Sequence, residues 1–488
     1  MVLLVWAISR VLYYGVGGLA FNSEPAFTFW QNIDPKLLQT DLLRSLWNLH
    51  MQPPAYNMLI GVLMKLSAEH FSLAYWGMHL AMGVMITLFL YWLMLWFGLG
   101  PSWSVALTGA FIASPACVLF ESVAVYEYPI LLLLLGGTVA LARFIETGAG
   151  RALGWFGGCL FGLMLMRNLF HVGYAVMIGL GLWLTLPMHR RRIARVFVLL
   201  LVLILGLYLK NQILFGRFTA STWMGMQTGF MTSYYLTASE AESLIARGLV
   251  TPLIRIRPFS PIEDYIAFRH KQPPHTGVPV LDETRTSRGY SNFNALAYLD
   301  IHEQYAANSK IVFRYYPIAY LRSLAGGWFS YFRPASDMPY YFSHEPEGMR
   351  RWEKAFNQVF FGQIYRSERS ELVALRQAGQ YLKLALHTGV VLVVVLPLVI
   401  LWGFDQLLRK RARWEKPQVA VLGFILFTII VQAFVGNFLA CCENNRYRFP
   451  LDPYFVLLAG LAGRDVVQTA RAMRKRLMRY TQFRGSPI

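Results

Sequence analysis

Apolar runs of roughly twenty residues recur from one end of the chain to the other, separated by short polar gaps. About twenty helical residues are needed to cross the roughly 30 Å of hydrocarbon in a bilayer. The pattern predicts about ten membrane helices, near 2–20, 72–98, 102–120, 129–146, 152–168, 171–187, 194–214, 383–404, 418–440 and 451–465. One interval breaks the alternation. Residues 215–382 are too polar for membrane and too many for a structureless loop. Within them TASEAESLIARG offers Thr237 or Ser239 as a helix cap in a capping-box pattern, and 291–332 reads as helices rich in aromatic residues. The expected fold is an all-α polytopic membrane protein of about ten transmembrane helices with an exoplasmic helical subdomain. It divides into an N-terminal membrane module (1–214, with outer loop 21–70), the subdomain (215–382), C-terminal membrane helices (383–465) and a basic cytoplasmic tail (466–488).

Composition supports the pattern. Hydrophobic residues make up 56% of the 488 and charged residues only 15%, against about 25% in soluble domains. The net charge of +19 comes largely from runs that follow expected spans, HRRRIAR (189–195), RKRARWEK (409–416) and RAMRKRLMR (471–479). No aromatic-basic RNA motif accompanies them, so they predict orientation by the positive-inside rule and no nucleic-acid partner. All three then face the cytoplasm, with both termini. The opposite face collects 21–70, 121–128, 168–171, 215–382 and 441–450. Among the four cysteines, Cys117 and Cys159 read as packing residues, while adjacent Cys441 and Cys442 lack zinc-site spacing and would strain a disulfide. The N-terminal run lacks a basic leader and an obvious cleavage site, which favours a retained first helix. Arg10 in that run should face a polar cavity, or else the true start lies upstream, because a mid-membrane charge costs about 3 kcal/mol to insert.

The unusual polar side chains map almost entirely to the outer face. The first outer loop carries Asp34 and Asp41, then His50, Gln52 and Pro53-Pro54. The third span ends in FESVAVYEYP, with Glu121 and Glu127, and the fifth in MRNLFH, with Arg167 and His171. The last gap reads CCENNRYRFP, with Glu443, Arg446, Tyr447 and Arg448. Each has a plain reading: solvated loop carboxylates for Asp34 and Asp41, headgroup contacts for the arginines, and a helix start for the prolines. Glu121 at the end of an apolar span needs a partner. Two arginines flanking a tyrosine beside an acid suit an anionic ligand, since the guanidinium fork matches phosphate oxygens.

In this order, the acid-bearing first outer loop, His-x-Gln-Pro-Pro-x-Tyr-Asn (50–57), FESVAVYEYP (120–129) and ENNRYRFPLDPYF (443–455) resemble the C-type (GT-C) membrane glycosyltransferases. Protein O-mannosyltransferases and lipid A aminoarabinose transferases belong to that group. The resemblance implies sugar transfer from a polyprenyl-phosphate donor to a glycan, lipid or protein acceptor on the outer face of the cytoplasmic membrane. It implies Asp34, or alternatively Asp41, as the catalytic carboxylate, with Glu121 or Glu127 as a second acid. Arg446 and Arg448, with His50, would hold the donor phosphate, supported by Glu443, Tyr447 and Gln52. Some relatives hold a divalent metal on such acids, and oxygen ligands suit magnesium or manganese, but too few acids are grouped here to predict one. The sequence departs from the family in lacking an Asp-Glu pair in the first loop, in carrying Glu on the second, and in placing the large subdomain between the seventh and eighth spans. A transporter or flippase of a lipid-linked sugar is the alternative, although no internal repeat points to it. The enzyme reading expects Asp34, Glu121 and Arg448 to face one cavity.

Overall fold

A computed structural model gives the fold and describes residues 1–338, 341–342, 345–365, 380–409, 417–440 and 443–484. The Cys441–Cys442 pair, most of the basic run at 409–416 and the end of the tail lie outside the described residues. Among those described, the chain is helical, with isolated bridges and no strand. Among the described residues five helices are long and apolar enough to cross a bilayer: Ala68–Trp96, Glu127–Thr147, Pro187–Phe215, Val390–Arg409 and Pro417–Leu439. The pair Pro101–Ile112 and Pro115–Glu121, bent by 57°, makes a sixth if taken as one span. This is an all-α, multi-pass membrane architecture.

Four of the ten expected spans take other forms. Val2–Val16, Gly150–Met166 and Val172–Thr185 are shorter apolar helices of 10–17 residues. The 451–465 stretch opens a 33-residue helix, Asp452–Arg484, whose later part is basic. The bend before Pro115 has a local cause. Proline cannot donate to the preceding turn, and Ser114 restarts the helix by accepting the Cys117 N–H at 3.3 Å.

The bundle packs by close approach on one side and meets lipid on the other. At Gly137 of the 127–147 helix, a Cβ would lie 3.2 Å from Cys159 Cβ on Gly150–Met166, so the missing side chain lets the two helices touch. On Arg190–Phe215, Val198, Leu199, Val202, Leu209 and Ile213 are exposed, as a lipid-facing stripe requires.

Loop 21–70 folds into the short helices Glu24–Thr28, Pro35–Thr40 and Leu42–Trp47, then Ala55–Leu66. The polar stretch beyond the 190–215 helix forms Met224–Met231, Ala238–Ala246, Ala297–Tyr315, Pro317–Tyr331 and Glu347–Phe361. Thr237 caps Ala238–Ala246 in a full capping box with Glu240, one of the two candidates the sequence offered. Loop and segment are joined by side chains. Ser287 bonds Asp34, Arg44 donates to the Gly277 carbonyl, and His50 is held by Thr222 and Asn294.

Candidate functional site

Five stretches remote in sequence meet at the end of the bundle that carries the loop and the outer segment. Glu127 is the first residue of its helix, where the unpaired N–H groups favour an acid. Arg167 follows Gly150–Met166 in an extended conformation (φ −157°, ψ 135°), so it leaves the helix line. Arg446 and Tyr447 lie on the five-residue helix Asn444–Arg448. That helix is pinned on both sides. Asn444 Nδ2 donates to Asn437 Oδ1 (2.7 Å) and the Ala440 carbonyl (3.1 Å), and Asn445 Nδ2 donates to the carbonyls of Pro334 (2.9 Å) and Asp337 (3.1 Å). Phe29 comes from the first loop and Tyr341 from the outer segment.

Arg446 is the hub. Its Nε lies 3.1 Å from Glu127 Oε1, and its Nη2 lies 3.2 Å from Glu443 Oε2 and donates to Tyr126 OH at 3.1 Å. Its Nη1 donates to Tyr341 OH. The rings of Phe29, Tyr126, Tyr341 and Tyr447 surround its guanidinium at 5.0–5.6 Å. The Nε–H is not aimed at the carboxylate. Neither oxygen of fully buried Glu127 accepts a hydrogen bond from any described residue, and Arg446 Nε donates none.

Arg167 is held differently. Its guanidinium lies 3.8 Å from the Tyr447 ring centroid and 5.0 Å from that of Tyr126, while its Nη1 stands 3.8 Å from Glu127 Oε1. Ring faces fix a guanidinium through its plane and leave its N–H edge for other partners. Among the described residues no acceptor hydrogen-bonds that edge. The next residue, Asn168, donates to Gln52 Oε1 (3.4 Å) and leaves its own buried Oδ1 unpartnered. It lines a small cleft with Phe170, His171, Ile204, Leu207 and Tyr208.

The other candidates from the sequence go elsewhere. Glu121 is clasped by Arg10, Nε to Oε1 at 2.8 Å and Nη2 to Oε2 at 2.7 Å, and accepts from Tyr14 OH (3.2 Å) and Tyr128 OH (2.7 Å). Arg10 therefore has an ion-pair partner rather than a polar cavity. Gly83 leaves room for that pair, since a Cβ there would fall 2.4 Å from Glu121 Oε2. Asp34 caps Pro35–Thr40, accepting from Lys36 N–H (2.9 Å), Ser287 N–H (2.6 Å) and Ser287 OH (2.5 Å). Arg448 pairs with Asp452 (2.9 Å) and donates to the Tyr331 carbonyl. The expected convergence of Asp34, Glu121 and Arg448 on one cavity is thus absent, because each is engaged by its own partners. Arg446 and Arg448 diverge because they are two apart on a helix, where i and i+2 do not share a face.

His50 is fully buried between the loop and the outer segment. Its Nε2 donates to the Asn294 carbonyl at 2.8 Å, which leaves Nδ1 to accept from Thr222 OH at 2.8 Å. Burial, opposed by the Asn294 carbonyl and aided by the nearby Lys210 ammonium, lowers its pKa to about 3. Both nitrogens are used, so none is turned to a phosphate. Asp41 is half-buried between two short helices and makes no cap bond.

Glu127, Arg446, Glu443 and Tyr447 are therefore brought together as candidates. Gln52 reaches the same neighbourhood through Asn168, and Arg167, Tyr126, Tyr341 and Phe29 join them without a role assigned from sequence. Arg167 carried a signal all the same, a lone arginine at the end of an apolar run. Among the described residues no three His, Cys, Asp or Glu side chains group as metal ligands. Compared with protein-family models, with curated proteins and with solved structures, the chain matches none.

Proposed function

We propose that the protein is an integral membrane glycosyltransferase that moves a sugar from a polyprenyl-phosphate donor to an acceptor hydroxyl on the outer face of the cytoplasmic membrane. The observation that carries this reading is Arg167: its plane is clamped by Tyr447 and Tyr126, and among the described residues its N–H edge is unspent and the carboxylate beside it accepts no hydrogen bond. In this reading the three shorter apolar helices and the start of Asp452–Arg484 complete about ten crossings. Loop 21–70, the outer segment and the site then face the periplasm, as the basic runs require.

The chemistry asks for two things that this cluster supplies. The bond from the sugar to the phosphate oxygen breaks with its electron pair on the phosphate, and Arg167 and Arg446 stabilise the growing charge. The acceptor oxygen forms the new bond to the sugar and gives its proton to Glu127, whose oxygens are free to take it. Glu443 and the four rings fix Arg446 in place.

The test uses purified protein in proteoliposomes with a radiolabelled polyprenyl-phosphate sugar and an envelope extract as acceptor. Wild type should move label into the acceptor fraction and release polyprenyl phosphate. Arg167→Ala and Glu127→Gln should each lose about 10²-fold or more at equal protein. Undiminished transfer by either variant overturns the assignment. Label that crosses the bilayer still on its lipid, with no transfer, identifies a flippase instead.

A further inference from the structure

The helix Glu347–Phe361 is amphipathic in the wrong sense for water. Its protein-facing side is polar: Met349, Glu353 and Asn357 are buried, and Asn357 Nδ2 donates to Glu353 Oε1 (2.6 Å) and Ser336 Oγ (3.0 Å). Its outward side carries Trp352 (48% exposed), Val359 (76%) and Phe360 (56%), with Phe356 stacked on Phe360 at 4.4 Å. At 100° per residue these four occupy one arc, which overlaps the edge of the buried one at Met349. A third arc carries Arg350, Arg351 and Lys354, all exposed, with Glu347 among them paired to Arg351, for a net charge of two positives. A soluble domain would turn the aromatic arc inward and the Glu353 arc out.

The helix also lies where lipid begins. Near its start, Trp352 Nε1 donates to Tyr13 OH (2.8 Å), and Met349 Sδ lies 3.0 Å from where a Cβ on Gly17 would be, both contacts at the outer end of the first helix. At its other end Gly362, in the left-handed conformation (φ 66°), ends it against Val390, the first residue of Val390–Arg409. Its 15 residues, about 22 Å of helix, thus bridge the outer ends of two membrane helices. The aromatic arc continues the lipid-facing side chains Val390, Val391 and Val394.

We infer that Glu347–Phe361 is an in-plane interfacial helix whose partner is the anionic phospholipid surface of the outer leaflet. Trp352, Phe356, Val359 and Phe360 enter the boundary between headgroups and acyl chains, and Arg350, Arg351 and Lys354 meet lipid phosphates. The inference stands apart from the proposed reaction. Through Ser336, the helix holds the same stretch that supplies Tyr341 to Arg446.

The test compares the full chain in nanodiscs of phosphatidylcholine alone and with phosphatidylglycerol added, by amide hydrogen exchange of the 347–361 peptide. Exchange should slow about tenfold in the anionic discs, and Arg351→Glu with Lys354→Glu should remove the difference. A nitroxide at Val359→Cys, in a chain with its own cysteines replaced, should collide with oxygen and be shielded from a water-soluble nickel reagent. A label at Lys354→Cys should show the reverse. Equal exchange in both discs, or a Val359 label as open to nickel as the Lys354 label, overturns the inference. A helix protected only when a protein partner is added would do so as well.

Discussion

Two glutamates six residues apart on one short outer stretch, Glu121 and Glu127, are both fully buried and both face arginine, yet their surroundings differ. Around Glu121 everything closes. Arg10 binds it with two parallel hydrogen bonds, two tyrosine hydroxyls add theirs, and Arg10 Nη1 goes to Ser9 Oγ (2.9 Å) and the Ile112 carbonyl (2.6 Å). Around Glu127 little is closed. Its oxygens accept no hydrogen bond from described residues, and its nearer arginine is misaligned. Its second arginine is held by rings rather than by acceptors. A satisfied buried network fixes a fold, and the low dielectric that rewards it also penalises what is left open. The first cluster ties the N-terminal helix to the bent pair. The second keeps polar capacity in reserve at high cost, which makes sense where a ligand is to use it.

The largest effect should come from opening the closed cluster. Arg10→Met leaves Glu121 buried without its cation, and breaking one side of a buried pair costs about 3–5 kcal/mol. Thermal unfolding in detergent should show that loss, with a lower membrane yield. Arg167→Met should cost about 1 kcal/mol, the scale of a cation–π contact. Equal losses would erase the distinction between the clusters.

Next comes acidity, which should act at the seam between loop and outer segment. Burial holds His50 and His302 neutral, each lowered to about 3 from the ordinary 6.5. Below about pH 6.5 the unfolded chain takes up protons that the native one refuses. Stability is therefore full above that pH and lost as pH falls toward 3, by about 1.4 kcal/mol per unit for each histidine. Unfolding temperatures at pH 7 and pH 5 should show this, and His302→Gln should halve the slope. The loss should add to that of Arg10→Met, since the sites share no partner. A pH effect that vanishes in the Arg10 variant would place the titration in the closed cluster instead.

A finer test of the open cluster keeps its charge and changes its shape. Arg167→Lys retains the cation but loses the planar fork and the flat stacking surface. Transfer from the polyprenyl-phosphate sugar should fall about tenfold, roughly 1.4 kcal/mol, with unfolding temperature nearly unchanged. Full activity in the lysine variant would reduce Arg167 to a point charge and remove the reason for its ring clamp.

Much of this architecture was readable from sequence because it rests on local pattern. Run length gave the long helices, the T-x-x-E spacing gave the Thr237 capping box, and loop bookkeeping put 121–128, 168–171 and 441–450 on one face. What was not readable rests on pairing across distance. Glu121 reads as needing a partner and Arg10 as needing a polar cavity, but nothing local says that residues 111 apart choose each other. Arg446 and Arg448 looked like one fork because ENNRYRFP reads as a loop. Folded as a helical turn, it sends them to opposite sides. Asp34 stands just before a proline, a helix-capping position, and the structure uses it as one.

The smallest effect would decide most about Asp34. The structure gives its carboxylate to Lys36 N–H and to both donors of Ser287, joining loop 21–70 to the outer segment. Asparagine keeps one acceptor oxygen and remains a good cap, so Asp34→Asn should cost only about 1 kcal/mol of stability. Ser287→Ala should cost a similar amount, and the double variant less than the sum, because the two residues share one interaction. Transfer by Asp34→Asn should stay within a few-fold of wild type while Glu127→Gln loses it. The opposite pattern, with Asp34→Asn stable but inactive and Glu127→Gln active, would return the catalytic role to the first loop, as the family resemblance implies. The closed and open clusters would then differ in packing alone. Measured side by side, the two variants separate a carboxylate that fastens two parts of the chain from one that waits for a proton.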